Sequence, residues 1–206
     1  MSQEDLNAQM QELLDKQAVK EVMMTYCRAL DRLDEDMLRS VFHPDSVHNH
    51  GFRGPSSDPS LPSTDDDPGD FVSYALGVLK THTRTHHHLG NFLIEIDGDV
   101  AWTECYFTAF HRMRPIGDPQ AAANAFDTPM DLFVAGRYID RMERRDGVWK
   151  ITHRTGMTDW QRIDAPVRRA GSRQMPTRWA SRARMISSIA ARMFTARNYR
   201  GSYERV

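Results

Sequence analysis

The chain has 206 residues, 27 basic against 28 acidic, with 40% hydrophobic and 9% aromatic side chains. Those proportions suit one globular domain with a single good core, and the lack of a long uncharged apolar run excludes a transmembrane helix. The polar, acidic start MSQEDLNAQMQELLDKQ does not read as a secretory or transit signal, and the two cysteines, Cys27 and Cys105, form neither a disulfide framework nor a zinc pattern, so a reducing cytoplasm is the expected compartment.

Leu6, Met10, Leu13 and Leu14, then Val19, Val22, Met23, Tyr26, Ala29, Leu30 and Leu33, recur at helical spacing and predict a long helix over 4–33. A shorter helix is expected over 35–42, ended by His43-Pro44-Asp45, and a short strand over 46–52. The stretch GPSSDPSLPSTDDDPGD from Gly54 reads as a loop, and 71–80 as another helix. The character then changes. Segments 86–96, 101–114, 132–143 and 148–160 are rich in β-branched and aromatic residues, and Asp97-Gly98 and Asp146-Gly147 sit between such runs as hairpin signals. The segment PIGDPQAAANAFDTPM from Pro115 reads as an exposed excursion between two long strands.

Helices first and an antiparallel meander afterwards predict an α+β fold. N-terminal helices pack on a strongly curved, mostly antiparallel sheet, a cone-shaped α+β barrel with a cavity inside. The chain carries no internal repeat, no G-x-G-x-x-G and no G-K-[ST], so nucleotide-dependent chemistry has no support.

Charge is distributed unevenly. From Pro166 to Val206 there are ten arginines, no lysine and one acid, Glu204, a net +9, so the remainder carries −10. Trp179, Ala183, Ile186, Ile189, Ala190 and Phe194 recur there at roughly helical spacing. The expected division is therefore a cone domain over 1–165 and an arginine-rich helical extension over 166–206. That extension docks on the acidic body or a partner chain; a nucleic-acid arm and a membrane-surface helix are the alternatives weighed.

Three stretches carry a resemblance. YCRALDRLDEDMLRSVFHPDSV from Tyr26, HHHLGNFLIEIDGDVAWTECYF from His86 and GRYIDRMERRDGVWKITHRTGMTDW from Gly136 recur in the order seen in SnoaL-like proteins of the nuclear transport factor 2-like superfamily. The chain resembles these over roughly residues 10 to 162. Within the superfamily it is most similar to the cofactor-free lyases, the group of scytalone dehydratase, bile acid 7α-dehydratase and hexachlorocyclohexane dehydrochlorinase. The resemblance implies a helix aspartate at Asp31, a strand histidine at His87 that removes a proton during elimination, and a tyrosine at Tyr26. It further implies pocket-lining roles for His48, Asn91 and Arg154 in substrate binding, no cofactor, and a homodimer or higher homo-oligomer formed through the outer sheet face.

Each residue also has a plainer reading. His87 lies in the triple run His86-His87-His88, so register decides its role. Strict alternation puts His87, Leu89, Asn91 and Leu93 on one face and His86, His88, Phe92 and Ile94 on the other. Asp31 stands near a helix end, where solvated acids are common, and Tyr26 lies on the apolar stripe. Five residues of helix set Tyr26 and Asp31 about 140° apart, so both reach one cavity only if the helix crosses its mouth. His48, His50, His86 and His88 are the imidazoles a metal site would use, but neither cysteine helps, no H-E-x-x-H appears and no metal is expected. Cys27 and Cys105 read as small buried residues, and Trp102, Trp149, Tyr106, Phe107, Phe110 and Phe133 as cavity wall or core.

The expected function is a cofactor-free, dehydratase-type lyase acting on a small hydrophobic cyclic or polycyclic molecule, with neither nucleic acid nor membrane as partner. A non-catalytic binding or accessory subunit, and an isomerase or cyclase using the same pocket, are the alternatives.

Overall fold

A capping box opens the first helix of this computed structural model. The Ser2 hydroxyl accepts from the Asp5 backbone N–H, the Asp5 carboxylate accepts from that of Ser2, and α1 then runs from Gln3 to Arg32. The structure describes residues 2–53 (backbone only at 50–53) and 70–166. The expected loop from Gly54 and the expected helical extension beyond residue 166 lie outside the described residues, as does the side chain of His50.

The first three turns of α1 are exposed, and Asp15 is its first buried residue, accepting hydrogen bonds from the Arg144 guanidinium and the Trp149 indole. From that anchor Val19, Met23, Tyr26, Cys27 and Leu30 are buried at helical spacing. Leu33, in the left-handed region at φ 53°, stops α1, and Asp34 caps α2 (Glu35–Ser40) by accepting from the Met37 N–H. The helix expected to reach residue 42 is thus shorter, and the strand after it longer. β1 spans Phe42–Arg53 and carries Pro44 within it, tolerated because β1 is an edge strand with irregular register between Phe42 and Val47. Asp70 caps α3 (Phe71–Lys80).

Four long strands follow: β2 (His82–Asp97), β3 (Val100–Met113), β4 (Met130–Arg145) and β5 (Val148–Asp164). They form one five-stranded sheet in the order β1-β5-β4-β3-β2, antiparallel except for the parallel pairing of β1 with β5. The Asp146-Gly147 turn has φ of 52° and 76°, the two positive values a type I′ hairpin demands. Between β2 and β3 the two-residue loop is shifted by one to Gly98-Asp99, with Gly98 at φ 59°.

Alternation sorts the sheet into two faces. Ala101, Thr103, Cys105, Phe107 and Ala109 of β3, Tyr138 and Met142 of β4, and Trp149 and Ile151 of β5 are buried with the helices. Trp102 and Tyr106, expected as cavity wall, are instead exposed on the outer face, because even positions of β3 point away from the helices.

Candidate active site

The end of α1 meets the middle of β2 at one carboxylate. Asp31 Oδ1 lies 2.7 Å from His87 Nδ1, and Asp31 Oδ2 accepts the His87 backbone N–H at 2.9 Å. Because β2 is the other edge of the sheet, that N–H has no strand partner, and the helix aspartate satisfies it. The His87 side chain is 6% exposed and that of Asp31 19%. Burial pushes the Asp31 carboxyl upward, but the hydrogen bonds from the His87 ring and backbone outweigh it and hold its pKa below the usual carboxylate range. The same bonds select the imidazole tautomer with hydrogen on Nδ1, leaving Nε2 without a hydrogen-bond partner among the described residues.

Two further histidines extend from this ring. The His111 and His87 ring centroids are 5.1 Å apart, edge to face, and His82 lies 5.0 Å from His111. Burial, reinforced by repulsion from His87 and His82, pushes the His111 pKa down to about 3, so it is neutral at physiological pH. Burial lowers His82 as well. The Nδ1 atoms of both are buried without a hydrogen-bond partner among the described residues. No three described His, Cys, Asp or Glu side chains converge in a way that would hold a metal ion. The available signal was the odd-numbered phase of β3: His111 is in step with Phe107 and Ala109, and opposite Thr85.

The other predicted residues go elsewhere. Asn91 has a φ of 49° and forms a bulge between Gly90 and Phe92, which reverses the phase of β2. His87 and Leu89 therefore share the inner face with Phe92, Ile94 and Ile96, while Asn91 and Leu93 are exposed. Between His86 and Ile96 strict alternation fails at Asn91. Arg154 is fully buried and bidentate to the fully buried Asp140, at 2.7 and 2.6 Å. Its guanidinium carbon lies 3.9 Å from the centroid of the Tyr26 ring and 4.5 Å from that of Tyr138. Tyr26 packs edge-on against Phe42 and Tyr138, so its partners are these rings and Arg154 rather than Asp31 or His87. The 140° offset along α1 sends the two residues to different neighbours. His48 stacks on Phe71 with centroids 4.3 Å apart, edge-on to Phe42, and its Nε2 is 3.0 Å from Ser46 Oγ. Cys27 and Cys105 are buried, and burial raises both thiols to about 12.

A cleft of about 630 Å3 opens beside the Asp31–His87 pair, between α1 and β2. Met24, Leu89 and Phe92 give it apolar walls, and Arg28, Arg32 and His88 line it as well.

Fold and site together define a helix-capped cone of the nuclear transport factor 2-like class, with an aspartate from the long helix hydrogen-bonded to a strand histidine. The SnoaL-like domain model matches residues 11–155, and the chain belongs to that family. Rv2910c of Mycobacterium tuberculosis and Mb2934c of Mycobacterium bovis, both uncharacterized, are each 26% identical over 152 residues, covering 74% of this chain and 90% of theirs. A candidate scytalone dehydratase from Novosphingobium aromaticivorans superposes with a TM-score of 0.57 at 21% identity, covering 80% of this chain and 97% of its own. The type 3 hexachlorocyclohexane dehydrochlorinase of Novosphingobium barchaimii gives 0.59 at 15% identity, covering 79% and 99%. At such identities these structures share the fold.

Proposed function

We propose that this protein is a cofactor-free lyase that eliminates water from a small hydrophobic cyclic substrate, with Asp31 and His87 as its dyad. The observation that carries this reading is the double clamp of the Asp31 carboxylate on the His87 ring and backbone. It holds Nδ1 as donor and leaves the lone pair of Nε2 as the base. Nε2 takes a proton from a carbon next to a carbonyl, and the C–H electron pair becomes an enolate. The enolate collapses to a carbon–carbon double bond and expels hydroxide from the next carbon, and the imidazolium returns its proton to give water. Asp31 stabilises the transient imidazolium, and a neutral His111 adds no opposing charge. The unpartnered Nδ1 atoms of His82 and His111 support a polar substrate group in this quarter. Tyr26, His48 and Arg154 enter as interior packing, since each is engaged elsewhere.

A dyad already hydrogen-bonded is a geometry that a non-catalytic accessory subunit does not need. A second copy on the outer face, where Leu93, Trp102, Tyr106 and Trp160 are exposed, belongs to the same reading; light scattering after size-exclusion chromatography checks it.

The test is turnover across a panel of cyclic β-hydroxy ketones. His87→Ala lowers the rate on any accepted substrate by about 10²–10⁴-fold with an unchanged circular dichroism spectrum. Asp31→Asn, which reverses the tautomer preference, acts in the same direction. A substrate turned over at the wild-type rate by the His87→Ala variant sinks the mechanism.

A further inference from the structure

The body of this protein pairs its arginines. Of the twelve whose side chains are described, nine lie within ion-pair distance of a carboxylate: Arg39, Arg112, Arg114, Arg137, Arg141, Arg144, Arg145, Arg154 and Arg162. The three without such a partner among the described residues are Arg28, Arg32 and Arg84. Two of these, Arg28 and Arg32, line the cleft beside the Asp31–His87 pair.

Their spacing makes the omission costly. Residues four apart on a helix are neighbours, about 5–6 Å between Cβ atoms, and a like-charged pair there is destabilising. The helix macrodipole favours a cation in the last turn, which accounts for Arg32. It does not account for Arg28 one turn earlier, where the dipole has faded. The carboxylate between them in sequence, Asp31, is committed to His87 through both oxygens. Both guanidiniums therefore keep their donors uncommitted among the described residues, and His86 and His88 line the same cleft. Met24, Leu89 and Phe92 make the rest of the lining apolar, and about 630 Å3 accommodates a ring system.

We propose that the substrate is an amphiphilic anion: a hydrophobic ring lying on the apolar wall, with a carboxylate or phosphate ester held between Arg28 and Arg32. Guanidinium forks match the oxygens of either group, and two of them one turn apart bracket one oxyanion. The anion acts as a handle that brings the ring against the dyad, so this inference rests on the proposed lyase function, which would otherwise be indifferent to substrate charge.

The experiment is calorimetric titration of the full chain with three probes sharing one ring: 1-naphthol, 1-naphthoate and 1-naphthyl phosphate. At least one anion binds ten or more times as tightly as the alcohol, and which one does so distinguishes carboxylate from phosphate. Arg28→Gln with Arg32→Gln abolishes that preference and leaves the affinity for naphthol unchanged, whereas Arg84→Gln retains it. Equal affinity for naphthol and both anions, a preference that survives the double substitution, or no binding of any probe at millimolar concentration overturns the proposal. So does inorganic phosphate competing as strongly as the naphthyl ester, because the site would then hold a free ion. His87→Ala keeps the anion preference, so loss of the preference through the arginines and loss of turnover through His87 are separately readable failures.

Discussion

Two aspartates of this protein each hold a nitrogen cation or its precursor, and they sit in opposite circumstances. Asp140 and Arg154 are both fully buried, joined by two hydrogen bonds and roofed by the Tyr26 and Tyr138 rings. Asp31 and His87 share one ring bond and one backbone bond at the sheet edge, on the wall of an open cleft. Arginine does not deprotonate in proteins, so the first pair is a permanent charge that orders the interior. Imidazole changes charge at ordinary pH, and with one nitrogen engaged the other remains available. The difference shows that a carboxylate beside a cation is not in itself a reactive device. It becomes one where the partner can take up and release a proton beside a cleft.

Breaking the interior pair should produce the largest stability effect. Asp140→Asn leaves a buried guanidinium uncompensated and is expected to cost about 3–5 kcal/mol in urea unfolding. Replacing both partners, with Asp140→Leu and Arg154→Met, should recover most of that loss. A single substitution within 1 kcal/mol of wild type would remove the distinction between the two aspartates.

The histidine cluster provides the next effect. His111 is depressed to about 3 in the folded protein, against about 6.5 unfolded, so the unfolded chain binds more protons between those values. The contribution is fully present above the unfolded pKa and drains away as pH falls toward 3. Linkage puts the loss between pH 7 and pH 5 at about 2 kcal/mol. His111→Phe should flatten that part of the stability profile, and an unchanged slope would contradict the burial argument.

At the dyad, Asp31→Asn should cost only about 1 kcal/mol at pH 7, one ordinary hydrogen-bonded partner at a half-open site. Since the folded pKa of Asp31 is lowered, its contribution is present above about pH 4 and disappears as acid protonates the carboxylate. Wild type and variant should therefore converge below that pH; curves that stay parallel to pH 2 would place the effect elsewhere. The smallest change is expected from Tyr26→Phe. It keeps the ring over Arg154, so turnover should stay within a few-fold of wild type while stability falls by about 1 kcal/mol. A drop in rate as large as that of His87→Ala would return Tyr26 to the chemistry.

Much of this architecture could be read along the chain because it depends on near neighbours. The 3.6-residue stripe from Val19 to Leu30, the alternation in β3 and the paired positive φ demanded at Asp146-Gly147 are local consequences of backbone sterics and side-chain burial. The partnership of Asp31 and His87 was legible only through the family resemblance, since 56 residues separate them and no local rule joins them. What the tertiary structure alone decided depends on strand pairing across the sheet. The bulge at Asn91 turned the second half of β2 over, taking that residue off the His87 face. The register of β3 against β2 brought His111 beside His87, though nothing in F-H-R distinguishes it from a surface histidine. The pairing of β4 with β5 sealed Arg154 against Asp140, a choice open to any arginine until its cross-strand neighbour is known. Periodicity reports which side of an element is apolar; which residues face one another across the cone is set by pairings whose cost and reward belong to the whole sheet.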